Sequence, residues 1–182
     1  MSMSSRRNNQ SSSSQREVIS ISIDDNILSL RGLSPTRLRF EIEYALERGS
    51  TANSFLINAG YDSEGHYQPP ILIHPPGAAY NNEFLEALAL ELPEQSTELL
   101  VVVGHINPNR IELLKNLAKI YSQMQLICSV PGAKLLQELW QQQKPAQSTK
   151  HSKQESFIPP IPEIHLIKSS RPSQLDMDIN CN

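Results

Sequence analysis

Four side chains that could take part in chemistry follow an apolar run in the middle of the chain. The run is Val101–Val103, and the side chains are those of His105, Asn107, Asn109 and Arg110. A histidine among polar groups directly after a buried strand is the layout of a metal site. Asparagine, however, offers a metal ion only a neutral amide oxygen, and arginine is a permanent cation without an acceptor atom. His105 is therefore the candidate metal ligand of this loop, and no catalytic residue is assigned.

The same loop suits an anion better than a cation. Backbone N–H groups at the start of the following helix, with the side chains of His105, Asn109 and Arg110, could hold phosphate or chloride. A structural interpretation stays open beside it. Gly104 and Pro108 would then shape the turn, and Asn109 would cap the helix. Arg110 would face solvent, and His105 would be an ordinary loop histidine.

The other histidines and the two cysteines are weaker candidates for metal ligands or reactive groups. His74 ends a short strand, where it could be a further metal ligand, although a packed histidine is the favoured interpretation. His66 is expected to be a solvated loop histidine, and His165 a strand or loop histidine. Cys128 is expected to be buried in a strand as an apolar residue. Cys181 lies near the end of the sequence and is expected to be an exposed, inert thiol.

Composition excludes several classes of function. The net charge is −3 without a block of one sign, which argues against a nucleic-acid partner. No apolar run approaches the roughly 18 residues of a membrane span, and the N-terminus has no secretory signal pattern. The two cysteines are far apart and form no CxxC pair, which argues against a disulfide scaffold or a zinc ribbon. We therefore expect a cytoplasmic protein.

Three regions differ in composition. Residues 1–16 are serine-rich and polar, so we expect a disordered tail. Residues 17–140 carry the patterns of a folded domain. Residues 141–182 begin with a stretch rich in Gln, Lys and Ser and are expected to be a linker and a loosely ordered tail, with one last strand at Ile164–Ile167.

The patterns within residues 17–140 predict strands followed by alternating strands and helices. Alternating apolar residues predict strands over 19–23, 28–30, 38–44 and 51–57, and short apolar runs predict strands over 71–74, 99–103 and 125–129. Apolar residues at helical spacing predict helices over 84–92, 111–121 and 135–140, the first capped by Asn81 or Asn82. We expect a mixed α/β (α+β) sheet with its helices on one face.

Four segments carry a resemblance to a known family. They are RLRFEIEYALERGSTANSFLI (37–57), HPPGAAY (74–80), VVVGHINPNR (101–110) and ICSVPGAKLL (127–136). From about Leu33 to Trp140 the chain resembles the N-terminal part of the metallo-β-lactamase-like domain of flavodiiron proteins, especially the cyanobacterial diflavin flavoproteins. The resemblance implies an αββα sandwich that is incomplete here, and a half-sandwich would expose an apolar sheet face and edge.

The resemblance also implies what the loop after Val103 has lost. The family's first metal-binding segment is His-x-Glu-x-Asp-His, and the matching positions are His105, Asn107, Asn109 and Arg110. Only the first histidine is retained. The family's cofactors are a diiron centre and FMN, and we expect this chain to hold neither, since no later ligand segment and no flavodoxin-like phosphate-binding loop are recognised in it.

The family's activity is that of an NAD(P)H:oxygen oxidoreductase. The resemblance, with its altered site, predicts a truncated relative that is not a competent oxygen reductase alone and that forms a homo- or heterodimer with a flavodiiron family member. Three alternatives stay open. One is an oxidoreductase component that reduces oxygen or nitric oxide with iron and FMN supplied by partner domains. The others are an anion-binding module and a gene remnant without a separate function.

Overall fold

A computed structural model describes residues 16–35, 39–40, 44–45, 49–93, 95–142 and 157–167. A seven-stranded sheet, two short strand pairs and three helices account for most of the regular structure. The strands are β1 (Glu17–Asp24), β2 (Ile27–Ser34), β3 (Arg39–Phe40), β4 (Tyr44–Ala45), β5 (Ser50–Ile57), β6 (Gly60–Tyr61), β7 (Tyr67–Gln68), β8 (Ile71–Ile73), β9 (Glu98–Val102), β10 (Gln123–Ser129) and β11 (Glu163–Ile167). The helices are α1 (Asn81–Glu91), α2 (Pro108–Ile120) and α3 (Val130–Trp140), with a 3-10 turn at Ala78–Tyr80 before α1.

Seven strands form one mixed sheet in the order β1-β2-β5-β8-β9-β10-β11. The pairs from β1 to β8 are antiparallel, and those from β8 to β11 are parallel. The parallel half requires crossover connections, and α1, α2 and the segment containing α3 supply them. The mixed sheet predicted from the strand and helix patterns is confirmed.

The helices pack on one face of this sheet, as predicted. Every second residue of β8, β9 and β10 is buried there, because side chains alternate between the two faces of a strand. The strand residues of this core are Leu30, Leu56, Leu72, Leu99, Val101, Met124 and Leu126. The helix residues that cover them include Phe84, Leu88, Leu114, Leu117 and Leu136, all fully buried. No described helix is long and apolar enough to cross a membrane.

The single strand predicted over 38–44 is wrong. Arg39–Phe40 and Tyr44–Ala45 are instead two short strands that pair antiparallel with each other, so the chain reverses between them. Alternation of apolar and polar residues has the same period in one long strand and in two short ones. The pattern therefore could not locate the reversal.

Both predicted helix caps are also wrong. Helix α2 begins at Pro108 with Asn107 as its N-cap, so Asn109 lies within the first turn. Proline favours the first helical position, because its fixed φ suits the helix and its missing N–H needs no partner there. Helix α1 is preceded directly by the 3-10 turn, and its N-cap is Tyr80, so neither Asn81 nor Asn82 caps it.

The predicted strand at Ile164–Ile167 is confirmed and pairs with β10 in parallel. Trp140, 2% exposed, donates a hydrogen bond from Nε1 to the carbonyl of Pro159 at 3.0 Å. Ile158 and Ile164 pack against the core. Part of the range 141–182, expected as linker and tail, thus completes the sheet. The expected tail at 1–15, the segments 143–156 and 168–182, and Cys181 lie outside the described residues.

Candidate functional site

Two neighbouring parallel strands bring the candidate residues to one edge of the sheet. Strands β8 and β9 pair in register, with Ile73 opposite Val102. His74 follows β8, and the loop that begins at Gly104 follows β9. Because parallel strands end at the same edge, His74 and this loop face each other there. A Cβ atom added to Gly104 would lie 3.7 Å from Nδ1 of His74.

The backbone of His74 is held in an unusual conformation. Its φ is 57°, the only positive φ of a non-glycine residue in the described part of the chain. Such a left-handed conformation costs an ordinary residue about 1–2 kcal/mol. Two hydrogen bonds hold it: the N–H donates to the carbonyl of Val102 at 2.8 Å, and the carbonyl accepts from Oγ of the buried Ser54 at 2.9 Å. The backbone thereby fixes the direction of the imidazole.

The guanidinium of Arg110 lies against both ring nitrogens of His74. Nη1 is 3.1 Å from Nδ1, and Nη2 is 2.8 Å from Nε2. A neutral imidazole has only one acceptor nitrogen, so only one of the two contacts is a hydrogen bond at any moment. Arg110 is the third residue of α2, and this contact draws the start of the helix to the end of β8. The guanidinium thus lies close to both nitrogens through which His74 could bind a metal.

The electrostatics favour a neutral His74. Burial is the main cause that lowers the pKa of this imidazole below its ordinary value, and electrostatic interactions with Arg110 and then His105 lower it further. Burial likewise lowers the pKa of Arg110, although an arginine stays charged at neutral pH. The neutral imidazole can accept the hydrogen bond that the charged guanidinium donates.

The other residues of the loop differ in their exposure and in their hydrogen bonds. His105 is exposed and makes no hydrogen bond with another described residue, while Ile106 beside it is 5% exposed and anchors the loop in the core. Asn107 accepts the N–H of Arg110 with its backbone carbonyl at 3.1 Å. Its side-chain Oδ1 is buried and has no partner among the described residues. Asn109 is exposed. It lies close to Gly77, where an added Cβ atom would be 3.8 Å from the Cβ of Asn109.

The structure thus brings Arg110 against His74 and places His105 near enough to lower the pKa of that imidazole. The sequence interpretation placed Arg110 in solvent or beside His105, and it missed the contact with His74. The two residues are 36 positions apart, and no local spacing connects them. Ser54, which holds the carbonyl of His74, was also missed; it carried no signal beyond its place in a predicted strand.

The remaining candidates do not add ligands to this cluster. His66 lies at the tip of the β6–β7 hairpin, with Nδ1 3.4 Å from a carboxylate oxygen of Asp62. His165 contacts Oε1 of Gln125 at 3.0 Å on the neighbouring strand. Cys128 is buried, as expected, and burial raises the pKa of its thiol. Within the described residues, no three His, Cys, Asp or Glu side chains are grouped so that they could hold a metal ion.

Protonation of His74 should destabilise the fold. Since its folded pKa is lowered, the unfolded chain binds the proton more readily, and the free energy of unfolding should fall as pH falls from about 7.5 to 5.5. The variant His74→Asn should make this dependence shallower, because asparagine tolerates the left-handed conformation and does not titrate. Urea denaturation across this pH range measures the change.

A second variant tests how much the charge of Arg110 contributes to the lowered pKa of His74. Arg110→Met removes the charge beside the imidazole, so the folded pKa of His74 should move towards its ordinary value. The loss of stability at low pH should then be smaller and should level off at a higher pH. If the free energy of unfolding depended on pH in both variants as it does in the natural protein, the effect could not be assigned to His74.

Comparisons with known proteins show that the sequence is similar to cyanobacterial flavoproteins. No family model matches it. Over 119 residues it is 45% identical to the protein named diflavin flavoprotein A 6 of Nostoc sp., covering 65% of this chain and 19% of that protein. Over 123 residues it is 37% identical to diflavin flavoprotein A 3 of Synechocystis sp., covering 68% of this chain and 19% of that protein. The chain spans about a fifth of the length of these relatives.

Solved structures agree with the sequence relatives. A crystal structure of residues 1–254 of diflavin flavoprotein A 5 from Nostoc sp. superimposes with a TM-score of 0.64 at 30% identity, covering 86% of this chain and 52% of that one. A metal-soaked flavodiiron core from Synechocystis sp. also gives 0.64 at 30% identity, covering 84% and 32%. A flavoprotein from Thermotoga maritima, 19% identical with a TM-score of 0.60 over 86% of this chain and 33% of that one, shares the fold.

Proposed function

We propose that the chain belongs to the flavodiiron protein family, as the N-terminal part of a metallo-β-lactamase-like domain of the diflavin flavoprotein type, and that its diiron site is degenerate. In this proposal the chain does not reduce oxygen alone and acts by pairing with a flavodiiron family member. The observation that carries the proposal is the contact of Arg110 with both ring nitrogens of His74.

The side chains at the matched positions do not fit two iron ions. A diiron centre needs anionic oxygen ligands and neutral imidazoles. Asn107 and Asn109 supply no negative charge, and Arg110 supplies a positive one. Two unit charges 4 Å apart near a protein surface repel by about 4 kcal/mol, and a divalent ion beside a guanidinium is repelled about twice as strongly. His105 remains the one matched residue able to ligate, and one neutral imidazole does not offset that repulsion.

The unpartnered oxygen of Asn107 points to the same conclusion. In the family pattern this position carries a glutamate. Here Oδ1 is buried without a partner among the described residues, and an unpaired buried amide oxygen costs about 1–3 kcal/mol. A neutral amide in that place is consistent with a ligand position that has lost its charge while its backbone role as N-cap of α2 is kept.

The proposed loss of the diiron site also determines which cofactors and which partner we propose. We assign neither iron nor FMN to the residues of this chain. Because the relatives are about five times longer than the matched region, the redox groups of any assembly would be held by the partner. The chain would then contribute a folded surface, and the partner the chemistry.

Metal analysis of the purified protein tests the proposal. After anaerobic incubation with Fe²⁺ and desalting, we expect iron well below one atom per chain. With NADH, FMN and a flavin reductase, we also expect oxygen consumption no faster than the background that free reduced FMN gives when the chain is omitted. The variant His105→Ala serves as the control, and its residual iron should equal that of the natural protein. Two irons per chain with oxygen consumption would overturn the proposal, and so would iron that His105→Ala removes.

A further inference from the structure

Strand β1 leaves one of its two edges unpaired. It is the outermost strand of the main sheet, and within the part of the chain that the structure describes it pairs only with β2. An unpaired edge presents a row of free N–H and C=O groups to which another strand can bind. Proteins usually keep such edges short, whereas β1 has eight residues, more than the five or six of a typical strand.

The register of the sheet identifies which backbone groups are free. Asn58 donates its N–H to the carbonyl of Asn26 at 2.9 Å, directly beyond the paired residues of β5 and β2. Hydrogen-bonded positions alternate along an antiparallel pair, so the even-numbered residues of β2 bond to β5 and the odd-numbered ones bond to β1. From residue 17 to residue 22, odd-numbered residues of β1 lie opposite odd-numbered residues of β2. The N–H and C=O groups that stay free at the edge are therefore those of Val18, Ser20 and Ser22.

The side chains of β1 differ between its two faces. Val18 packs against the core, and side chains alternate along a strand, so Ile19 and Ile21 lie on the face opposite the helices. Ile21 is 40% exposed. A further strand beside β1 would cover it, and β-branched side chains pack well against their cross-strand neighbours. The free edge thus offers apolar contacts as well as hydrogen bonds.

We propose that β1 pairs antiparallel with β1 of a second copy of this chain, in the register that places Ser20 opposite Ser20 of the copy. This register puts Val18 opposite Ser22, so every free position of one edge meets a free position of the other. It also puts Ile19 opposite Ile21, which brings the isoleucines of both copies together on one face. The two main sheets then form one continuous sheet with seven strands from each copy.

The charges around β1 favour this register. Arg16 precedes the strand and Asp24 ends it, and both are exposed. With Ser20 at the centre, Arg16 of each copy lies opposite Asp24 of the other, and opposite charges that face each other across a strand pair stabilise it. Asp24 accepts the N–H of Asp25 with Oδ1 at 2.7 Å, which leaves Oδ2 for a second donor. Moving the centre one residue along the strand would instead set Glu17 opposite Asp25, two like charges.

This inference goes beyond the proposed function and does not rest on it. The proposed function concerns the contact of Arg110 with His74 after β8, and β1 lies three strands away from β8 in the sheet. It also names a partner that carries redox groups, whereas the partner here is a second copy of this chain. Iron content and self-pairing are measured separately, so either proposal can fail while the other holds.

Size-exclusion chromatography with light scattering measures the association. The full 182-residue chain, of 20.4 kDa, should have twice that mass at high concentration and should dissociate on dilution. A two-fold pairing uses the free edge of both copies and closes the assembly. A monomer at every concentration overturns the inference, and so does a mass above that of two chains.

Ser20→Pro tests the edge itself. Proline has no N–H, but the N–H of Ser20 points away from β2, so the variant should keep the hydrogen bonds within its own sheet. The dissociation constant of the dimer should rise about tenfold or more. Ser20→Ala is the matched control, because it removes the same hydroxyl but keeps the N–H, and it should pair like the natural chain. A Ser20→Pro variant with the natural circular dichroism spectrum that pairs like Ser20→Ala overturns the inference.

Charge variants test the register, and they decide the question if Ser20→Pro does not fold. Arg16→Asp and Asp24→Arg each set like charges opposite each other in the dimer, so each variant should self-pair about threefold more weakly or worse. An equimolar mixture of the two variants restores opposite charges at both ends and should form the dimer more tightly than either variant alone. If the mixture pairs no better than the separate variants, the inference is overturned.

Discussion

Replacing Arg110 by histidine should make the cluster bind divalent metal ions about a hundredfold or more tightly than the natural protein does. The substitution removes the cation that lies against His74 and frees both nitrogens of that imidazole. It also adds a third imidazole beside His74 and His105, and three histidines are a known ligand set for zinc. Cobalt is a convenient probe, because the visible spectrum of Co²⁺ reports tetrahedral coordination while titration reports the affinity.

Arg110→Met is the matched control for this experiment. It removes the same charge with a side chain of similar length but adds no ligand, so its affinity for Co²⁺ should lie between those of the natural protein and Arg110→His. Equal affinities in all three proteins would show that Arg110 does not determine metal binding at this site. Such a result would also remove the main support for a degenerate site.

Truncation of Trp140 should cause the largest loss of stability at the end of the sheet. Trp140→Ala removes a side chain that is 2% exposed, and such substitutions typically cost about 3–5 kcal/mol. It also removes the donor to the carbonyl of Pro159, which leads into β11. We therefore expect a lower midpoint of urea denaturation, together with faster hydrogen exchange in Glu163–Ile167 than in β9.

Trp140→Phe separates the packing from the hydrogen bond. Phenylalanine fills much of the volume but leaves the buried Pro159 carbonyl without its donor, so a loss of about 1–3 kcal/mol is expected. If Trp140→Phe is as stable as the natural protein, the hydrogen bond contributes nothing to holding β11. If exchange in Glu163–Ile167 stays slow in Trp140→Ala, the strand is held by its pairing with β10 alone.

Much of the fold was predictable because its signals are local and periodic. The spacing of apolar residues predicted the buried strand over 99–103, which the structure has at Glu98–Val102. It also predicted the helix stripe that includes Leu114 and Leu117 and the final strand at Ile164–Ile167. The family resemblance, confirmed by the comparisons, extended these elements to a known architecture. Both kinds of inference use runs of neighbouring residues, and both succeeded.

The errors have a common cause in competing local signals. Alternation over 38–44 could not indicate that the chain reverses there. Asn109 has the chemistry of an N-cap, but Pro108 in front of it takes the first helical position, so the helix starts earlier. In each case two patterns fitted the same residues, and the one chosen from the sequence was the wrong one.

The sequence by itself determined which chemistry the loop after Val103 can support. Asparagine and arginine at 107, 109 and 110 lack the anionic oxygens that iron requires, whatever the fold. Only the tertiary structure decided what Arg110 does instead. Its partner, His74, is 36 residues away, and the two meet because β8 and β9 are parallel neighbours that end at one edge of the sheet. Topology likewise decided which face of the main sheet carries no helix, since the helix connections all lie on the opposite face.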